Sequence, residues 1–405
     1  MTNDGGPHRV EDEPTPRTTS TRVGLYFGVL QLFFNLSWVI YVIFLPQLAA
    51  QAGIGTGAVP WILLMDQVVF VVCDWAAGLA SDRVAEVLGK LGTIVAGITA
   101  LSALAFLLLP FVTTAGPGVF LTLTMIWAVT SSALRAPPLK LLGRYTPPDG
   151  QPRVASLFLL GIGISTALAP FLAGWVTGVD PRIMFAASAV SVVVVTASIV
   201  WAEKTLARSA PTERPPAARL RVAPFLSFLG AILLLALAYQ VHFFINSGPL
   251  FGRFAPPDRV EDLVALFWMG FSVAMLPASL LTKRFGGVAV MAAGAVLAAA
   301  AAGVAELAAG IVTLVAAQFV CGAAWGAVTM SAVATALRLG HAGSEGRTVG
   351  AMYSVMAAAA VARIAVVTGD LGQGSAPALT WLPVTAWVAA ALLLVRAARR
   401  TPAPA

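Results

Sequence analysis

Long apolar runs separated by short polar segments make up nearly the whole chain. A helix that crosses a bilayer needs about 20 mainly apolar residues. By that measure the pattern predicts about twelve spans, over 23–49, 59–80, 91–112, 117–142, 154–176, 183–202, 223–247, 261–282, 288–308, 311–337, 349–370 and 378–397. The hydrophilic stretch from Glu203 to Arg221 (EKTLARSAPTERPPAARLR) separates two sets of six, and its prolines and charges predict a flexible linker. The resulting plan is a disordered cytoplasmic tail at 1–22, a six-helix bundle at 23–202, a cytoplasmic linker at 203–222, a second six-helix bundle at 223–397 and a short cytoplasmic tail at 398–405. The expected fold class is an all-α polytopic membrane protein of about twelve transmembrane helices in two bundles.

Composition agrees with that plan. Of 405 residues, 59% are hydrophobic and 11% charged, where a soluble globular domain would carry about a quarter charged residues. The net charge of +7 does not imply nucleic acid, because basic residues placed between apolar runs act first as topology determinants. With a cytoplasmic N-terminus, twenty of the 25 Lys and Arg fall on cytoplasmic segments, which favours both termini inside a bacterial-type inner or plasma membrane. Cys73 and Cys321 both lie in apolar runs and read as small hydrophobes, so neither a disulfide nor a metal cluster is expected. Only three histidines are present, His8, His242 and His341, and no nucleophile or metal constellation accompanies them. An enzyme is not expected, nor is any cofactor or catalytic residue.

Charge inside a span is the informative exception, since it costs roughly 2.5 to 3.5 kcal/mol at the bilayer centre unless it meets a partner or a cavity. Such residues are Asp66 and Asp74 in span 2, Arg135 in span 4, His242 in span 7 and Arg363 in span 11. Asp66 and Asp74 are eight residues apart, about 80° around a helix, so both can border one cavity. A carboxylate within reach of an arginine stays ionised, whereas one alone in a dry site can take up a proton. For Asp74 both alternatives stand: a structural ion pair with Arg135, or a coupling carboxylate. Asp66, Arg135 and His242 complete the coupling candidates, although a lone histidine on a helix is more often a packing residue. Gln31, Asn35 and Trp38 in span 1, Tyr239 and Asn246 in span 7, and Arg363 supply polar and aromatic groups for a substrate cavity. Arg363 is suited to hold an anionic group, or to pair with Asp66 or Asp370.

Span 2 ends in Asp74, Gly78, Ser81, Asp82 and Arg83. The Gly-x-x-x-Asp-Arg spacing at this position resembles the loop 2-3 signature of the major facilitator superfamily, with Ala85 in place of a glycine and the next Gly-Lys pair at Gly89 and Lys90. The run from Asp74 to Arg83 is similar to that of the glycoside-pentoside-hexuronide branch, with Trp75 in place of a proline and Phe70 in place of an upper aspartate. Gly161, Ser165, Ala169, Pro170, Ala173 and Gly174 in span 5 resemble the Gly-rich motif of drug-proton antiporters, with alanine for glycine at two places. The superfamily resemblance implies a cavity lined by spans 1, 2, 4, 5, 7, 8, 10 and 11, and the mid-span ionisable residues fall only in that set. It also implies that Gly78, Asp82 and Arg83 form a gating loop, with Asp82 against the N-terminal end of span 11 near Arg347 to Gly350, where a helix dipole favours negative charge.

The function expected from these residues is secondary active transport of a small molecule by alternating access, coupled to protons. The span 5 likeness leans toward export. The chain is expected to act as a monomer in the lipid bilayer. A transporter-like sensor or scaffold is the competing class, distinguished by having no need of an exchangeable carboxylate.

Overall fold

The computed structural model describes residues 16–87, 91–176, 178–208, 220–341, 343–369 and 376–400. Most of the N-terminal tail, the centre of the linker at 209–219, the last five residues, and Gly89, Lys90 and Asp370 lie outside the described residues.

Among the described residues, twelve helices are long and apolar enough to cross a membrane: α1 Thr21–Gln51, α2 Thr56–Val84, α3 Leu91–Phe111, α4 Pro117–Tyr145, α5 Gln151–Val176, α6 Pro181–Thr205, α7 Val222–Gly252, α8 Pro257–Phe285, α9 Gly287–Glu306, α10 Ile311–Leu339, α11 Glu345–Thr368 and α12 Ala378–Arg399. No strand occurs among the described residues. The helices overrun the apolar stretches at several ends, because hydrophilic residues beyond the hydrocarbon can still complete backbone hydrogen bonds. The helix that carries α1 starts at Pro16, within the stretch predicted as tail. The chain after α6 stays helical to Arg208, within the predicted linker. Glu203 anchors that segment by accepting a hydrogen bond from the Gly92 amide at 2.8 Å, which satisfies one of the orphan donors at the start of α3.

Helices α1–α6 and α7–α12 pack as two bundles. In the first, α1 packs against α5 and α6, and α3 against α4 and α6; in the second, α10 packs against α8 and α9, and α12 against α7 and α9. The bundles meet along two long seams, α2 with α11 and α5 with α8. One apolar core runs through both bundles, and it includes Leu141, Leu142 and Phe158 of the first with Phe271, Val333 and Leu337 of the second. Two further cores belong to single bundles: Tyr41, Phe44, Phe106 and Phe185 in the first, and Leu250, Phe251 and Leu314 in the second. The core is therefore shared at one end and divided at the other.

Prolines interrupt this regularity in a way the side chains repair. Pro138 has no N–H to give the carbonyl four residues back, and α4 tightens to a 3-10 turn over Ser132–Leu134 before resuming at Ala136. The freed Leu134 carbonyl instead accepts from Gln31 Nε2 at 2.5 Å. Pro383 in α12 frees the Leu379 carbonyl in the same manner, and Asn246 Nδ2 donates to it at 3.2 Å. In α7 the backbone widens into a π turn over His242–Asn246.

Glycines set the closest helix approaches. A Cβ on Gly161 of α5 would run into the Gly28 carbonyl of α1, whereas one on Gly174 would meet nothing within 4 Å. Gly161→Leu is accordingly expected to destabilise the first bundle by about 1–3 kcal/mol, seen as a lower melting temperature in detergent, while Gly174→Leu melts close to the wild type.

Candidate functional site

At the end where the core is shared, α2, α4 and α11 converge. Gly78 lets α2 touch α11, since a Cβ there would clash with the Gly346 carbonyl. One turn further on, Asp82 accepts from the Gly346 amide at 2.9 Å and the Arg347 amide at 2.8 Å. Those are free donors of the first turn of α11, where the helix dipole favours an anion. From α4, Lys140 Nζ reaches Asp82 Oδ1 at 2.5 Å and Glu345 Oε2 at 3.0 Å, and it donates to the Gly343 carbonyl at 3.4 Å. Lys140 is 1% exposed and Glu345 2%. A lysine so buried requires carboxylate partners, because removing a charge from water costs several kcal/mol. The triad thus ties the two bundles together at this end. Arg83 is exposed.

Nearer the middle of the spans, Arg135 Nη2 stands 3.3 Å from Asp74 Oδ2. The two form an ion pair without hydrogen-bond alignment: both Asp74 oxygens are buried and neither has a hydrogen-bond partner. The guanidinium lies over the Phe70 ring at 4.6 Å and the Tyr353 ring at 5.2 Å, so side chains of both α2 and α11 pack against it. Its side chain keeps 21% exposure. The break in α4 presents it, as Arg135 is the hinge residue between the 3-10 turn and the second helical segment.

Asp66 lies two turns away on α2 and is fully buried. Tyr41 Oη donates to its Oδ2 at 2.8 Å, and Oδ1 has no partner. Around it Trp38, Tyr41 and Trp127 pack ring to ring, with Trp38 stacked on Trp127 at 5.7 Å.

The second bundle holds a separate set. Tyr239 stacks on Trp325 at 4.5 Å. Arg363 Nε donates to Gln240 Oε1 at 2.8 Å, with the guanidinium 4.4 Å over Phe244. His242 is fully buried, 3.0 Å from Gln318 Oε1. Asn246 faces α12 and Gln31 faces the α4 break, while Asn35 Nδ2 bonds Ser165 and Thr166 of α5 at 2.7 and 3.0 Å. The structure therefore brings together Asp74 with Arg135, and Asp82 with the start of α11. It does not join Arg363 to Asp66, nor His242 to Arg363.

Sequence reasoning passed over Lys140, Glu345, Tyr41 and Tyr353. The first two sit where apolar runs end and read as interfacial charges; Lys140 follows a Pro-Pro pair in an otherwise apolar run, the one local hint that its helix turns inward. Among the described residues no group of His, Cys, Asp and Glu is arranged to hold a metal ion.

A family model described as Major Facilitator Superfamily matches residues 25–254, more than half of the chain. No curated protein matches in sequence. Solved structures share the fold at low identity. A bacterial homologue of the iron transporter ferroportin, in an outward-facing state, is 12% identical with a TM-score of 0.74, the alignment covering 94% of this chain and 100% of that one. The human organic anion transporter MFSD10 is 13% identical, TM-score 0.71, covering 94% and 100%. The Escherichia coli fucose:proton symporter FucP is 15% identical, TM-score 0.63, covering 95% and 98%.

Truncating one partner of a buried ion pair strands the others, at a cost of about 3–5 kcal/mol. Lys140→Met should lower the melting temperature sharply, and adding Glu345→Gln should restore part of the loss, as measured by thermal unfolding of the two purified variants.

Proposed function

The chain belongs to the major facilitator superfamily, and from that membership we propose that it is a proton-coupled secondary transporter of a small molecule, working by alternating access. Its twelve spans make it a multi-pass membrane protein. The proposed topology puts both termini and the linker in the cytoplasm of a cell that holds the protein, as a monomer, in its inner or plasma membrane; the distribution of Lys and Arg supports it. With that orientation the shared end of the core is the cytoplasmic side, closed by Asp82, Lys140 and Glu345, and the divided end opens outward.

The observation that carries the coupling is Asp74, fully buried at the seam between the bundles with only Arg135 as counter-charge. As the bundles rock, the pair can separate, and a carboxylate that loses its cation in a dry site takes a proton. Asp66 has no cation beside it and is the second candidate for the proton. His242 is held against Gln318 away from this seam. The fucose:proton symporter shows only that this fold accommodates proton coupling. The likeness of the α5 small residues to drug-proton antiporters leans the reading toward export, although Gly161 of that set also serves a helix contact on Gly28.

Asp74→Asn, reconstituted in liposomes, should lose accumulation driven by a proton gradient and retain exchange of substrate down its own gradient. Accumulation at the wild-type level would remove Asp74 from the coupling step and leave Asp66. Asp82→Asn keeps the shape but weakens the link to α11. It should slow transport at least tenfold with equilibrium ligand binding nearly unchanged, whereas parallel loss of binding would refute the gate role.

A further inference from the structure

We propose that the transported substrate is an organic monocarboxylate and that Arg135 grips it through the N–H donors of its guanidinium, with the Tyr353 hydroxyl as a second donor. The inference rests on the transporter assignment above and adds the chemistry of its central site.

Exposure decides the sign of charge that a ligand meets. Asp66, Asp74 and His242 have no exposed surface, while Arg135 remains partly exposed. At this pair the group with exposed surface is the cation, and the carboxylate has none. Arg363, the other accessible mid-span cation, is already bonded to Gln240 and covered by Phe244.

Geometry decides the shape. The Phe70 and Tyr353 rings lie 4.6 and 5.2 Å from the Arg135 guanidinium carbon, and the N–H donors of that group match a carboxylate bidentately. Asp74 Oδ2 stands 3.3 Å from one of its nitrogens without the alignment of a hydrogen bond. Ser132 Oγ stands beside the Asp74 carboxylate, whereas Tyr353 Oη is buried without a hydrogen-bond partner; Tyr353 is 7% exposed. Buried polar atoms are ordinarily satisfied, and an oxyanion on Arg135 would accept from the Tyr353 hydroxyl.

The coupling follows from charge balance. Asp74 and the substrate carboxylate compete for one cation. When Asp74 takes a proton from hydronium in the outer water, an O–H bond of the hydronium breaks as its own forms, Arg135 stays charged, and the guanidinium N–H donors pass to the substrate. The site is neutral when empty, as aspartate with arginine, and neutral when loaded, as aspartic acid with an arginine carboxylate pair. Proton and monoanion thus bind together, each favouring the other by the same factor, and cross in the same direction without net charge. The ionisable groups facing Asp74 are Arg135 from α4, Tyr353 from α11 and Cys73 on α2 itself. Along α2, Asp66 is bonded to Tyr41 and Asp82 to Lys140.

The test uses the purified full chain with lactate, gluconate and hippurate as probes, against lactamide, gluconamide, hippuramide and simple primary amines. The expected result is that one or more carboxylates raise the melting temperature and bind by calorimetry, that the amides and amines do not, and that affinity falls as pH rises. Asp74→Asn should bind the same carboxylate at least as tightly and without pH dependence, because Arg135 has lost its competitor. Tyr353→Phe and Arg135→Lys should each weaken binding about tenfold, and Arg135→Gln should abolish it. A response to amines or amides instead, or to none of the panel, overturns the proposal. So does loss of carboxylate binding in an Asp74→Asn protein that melts like the wild type. In proteoliposomes the bound carboxylate should accumulate with a pH gradient and ignore a clamped membrane potential. Carboxylate binding with no flux under any gradient would sink the transporter assignment and leave the anion site standing; flux of an amine without carboxylate binding would do the reverse.

Discussion

A lysine with 1% of its surface exposed can exist in an apolar interior only if its charge is matched on every side, and the arrangement of the two bundles depends on that match. Lys140 comes from the first bundle, as does Asp82; Glu345 and the Gly346 and Arg347 amides come from the second. None of these groups is satisfied within its own helix. The helices that carry them must meet, and Gly78 and Gly350 remove the side chains that would hold α2 and α11 apart. Electrostatic pairing and small-residue packing therefore specify the same contact, which is the consistency expected of a designed interface.

The same accounting of polar groups explains residues that are otherwise puzzling. In a span every backbone carbonyl must find a donor, since no water is present to supply one. Pro138 and Pro383 each leave one carbonyl without its usual partner, and Gln31 and Asn246 supply the missing donors from neighbouring helices. A polar side chain in a membrane helix can thus be a repair and not a ligand-binding group. That distinction separates Gln31 and Asn246 from Tyr353, whose buried hydroxyl has no hydrogen-bond partner beside Arg135.

How much of this was legible in the sequence follows from where each signal originates. The twelve spans were legible because hydrocarbon thickness imposes a length that no other constraint mimics. Asp66, Asp74, Arg135 and Arg363 stood out because intramembrane charge is expensive, and Asp82 because its spacing from Gly78 carries a family pattern. Lys140 and Glu345 escaped notice because a charge at the end of an apolar run is ordinarily solvated, and only tertiary packing turns these two inward. Tyr41 and Tyr353 are aromatic residues in apolar helices, indistinguishable by pattern from packing residues; what sets them apart is an acidic or guanidinium neighbour from a helix distant in sequence. The π turn at His242–Asn246 has no periodicity signature either, since a single extra residue per turn is lost in a window of eighteen.

The distribution of charge across the Lys140 contact also bears on how it would open in the proposed transport cycle. Separation of the bundles would leave Lys140 with Asp82 in the first, a pair that is neutral by itself. Glu345 would remain in the second, in the first turn of α11, where the helix dipole favours a carboxylate and incoming water replaces the lost ammonium. Neither bundle is left with an uncompensated buried charge, which would cost several kcal/mol. The Asp82 contact with the α11 amides, by contrast, is lost outright and is replaced by water on both sides. In the proposed cycle such a contact would be firm when closed without stranding a charge when open, and a ligand bound at the Arg135 seam would shift the equilibrium only by its differential affinity for the two states.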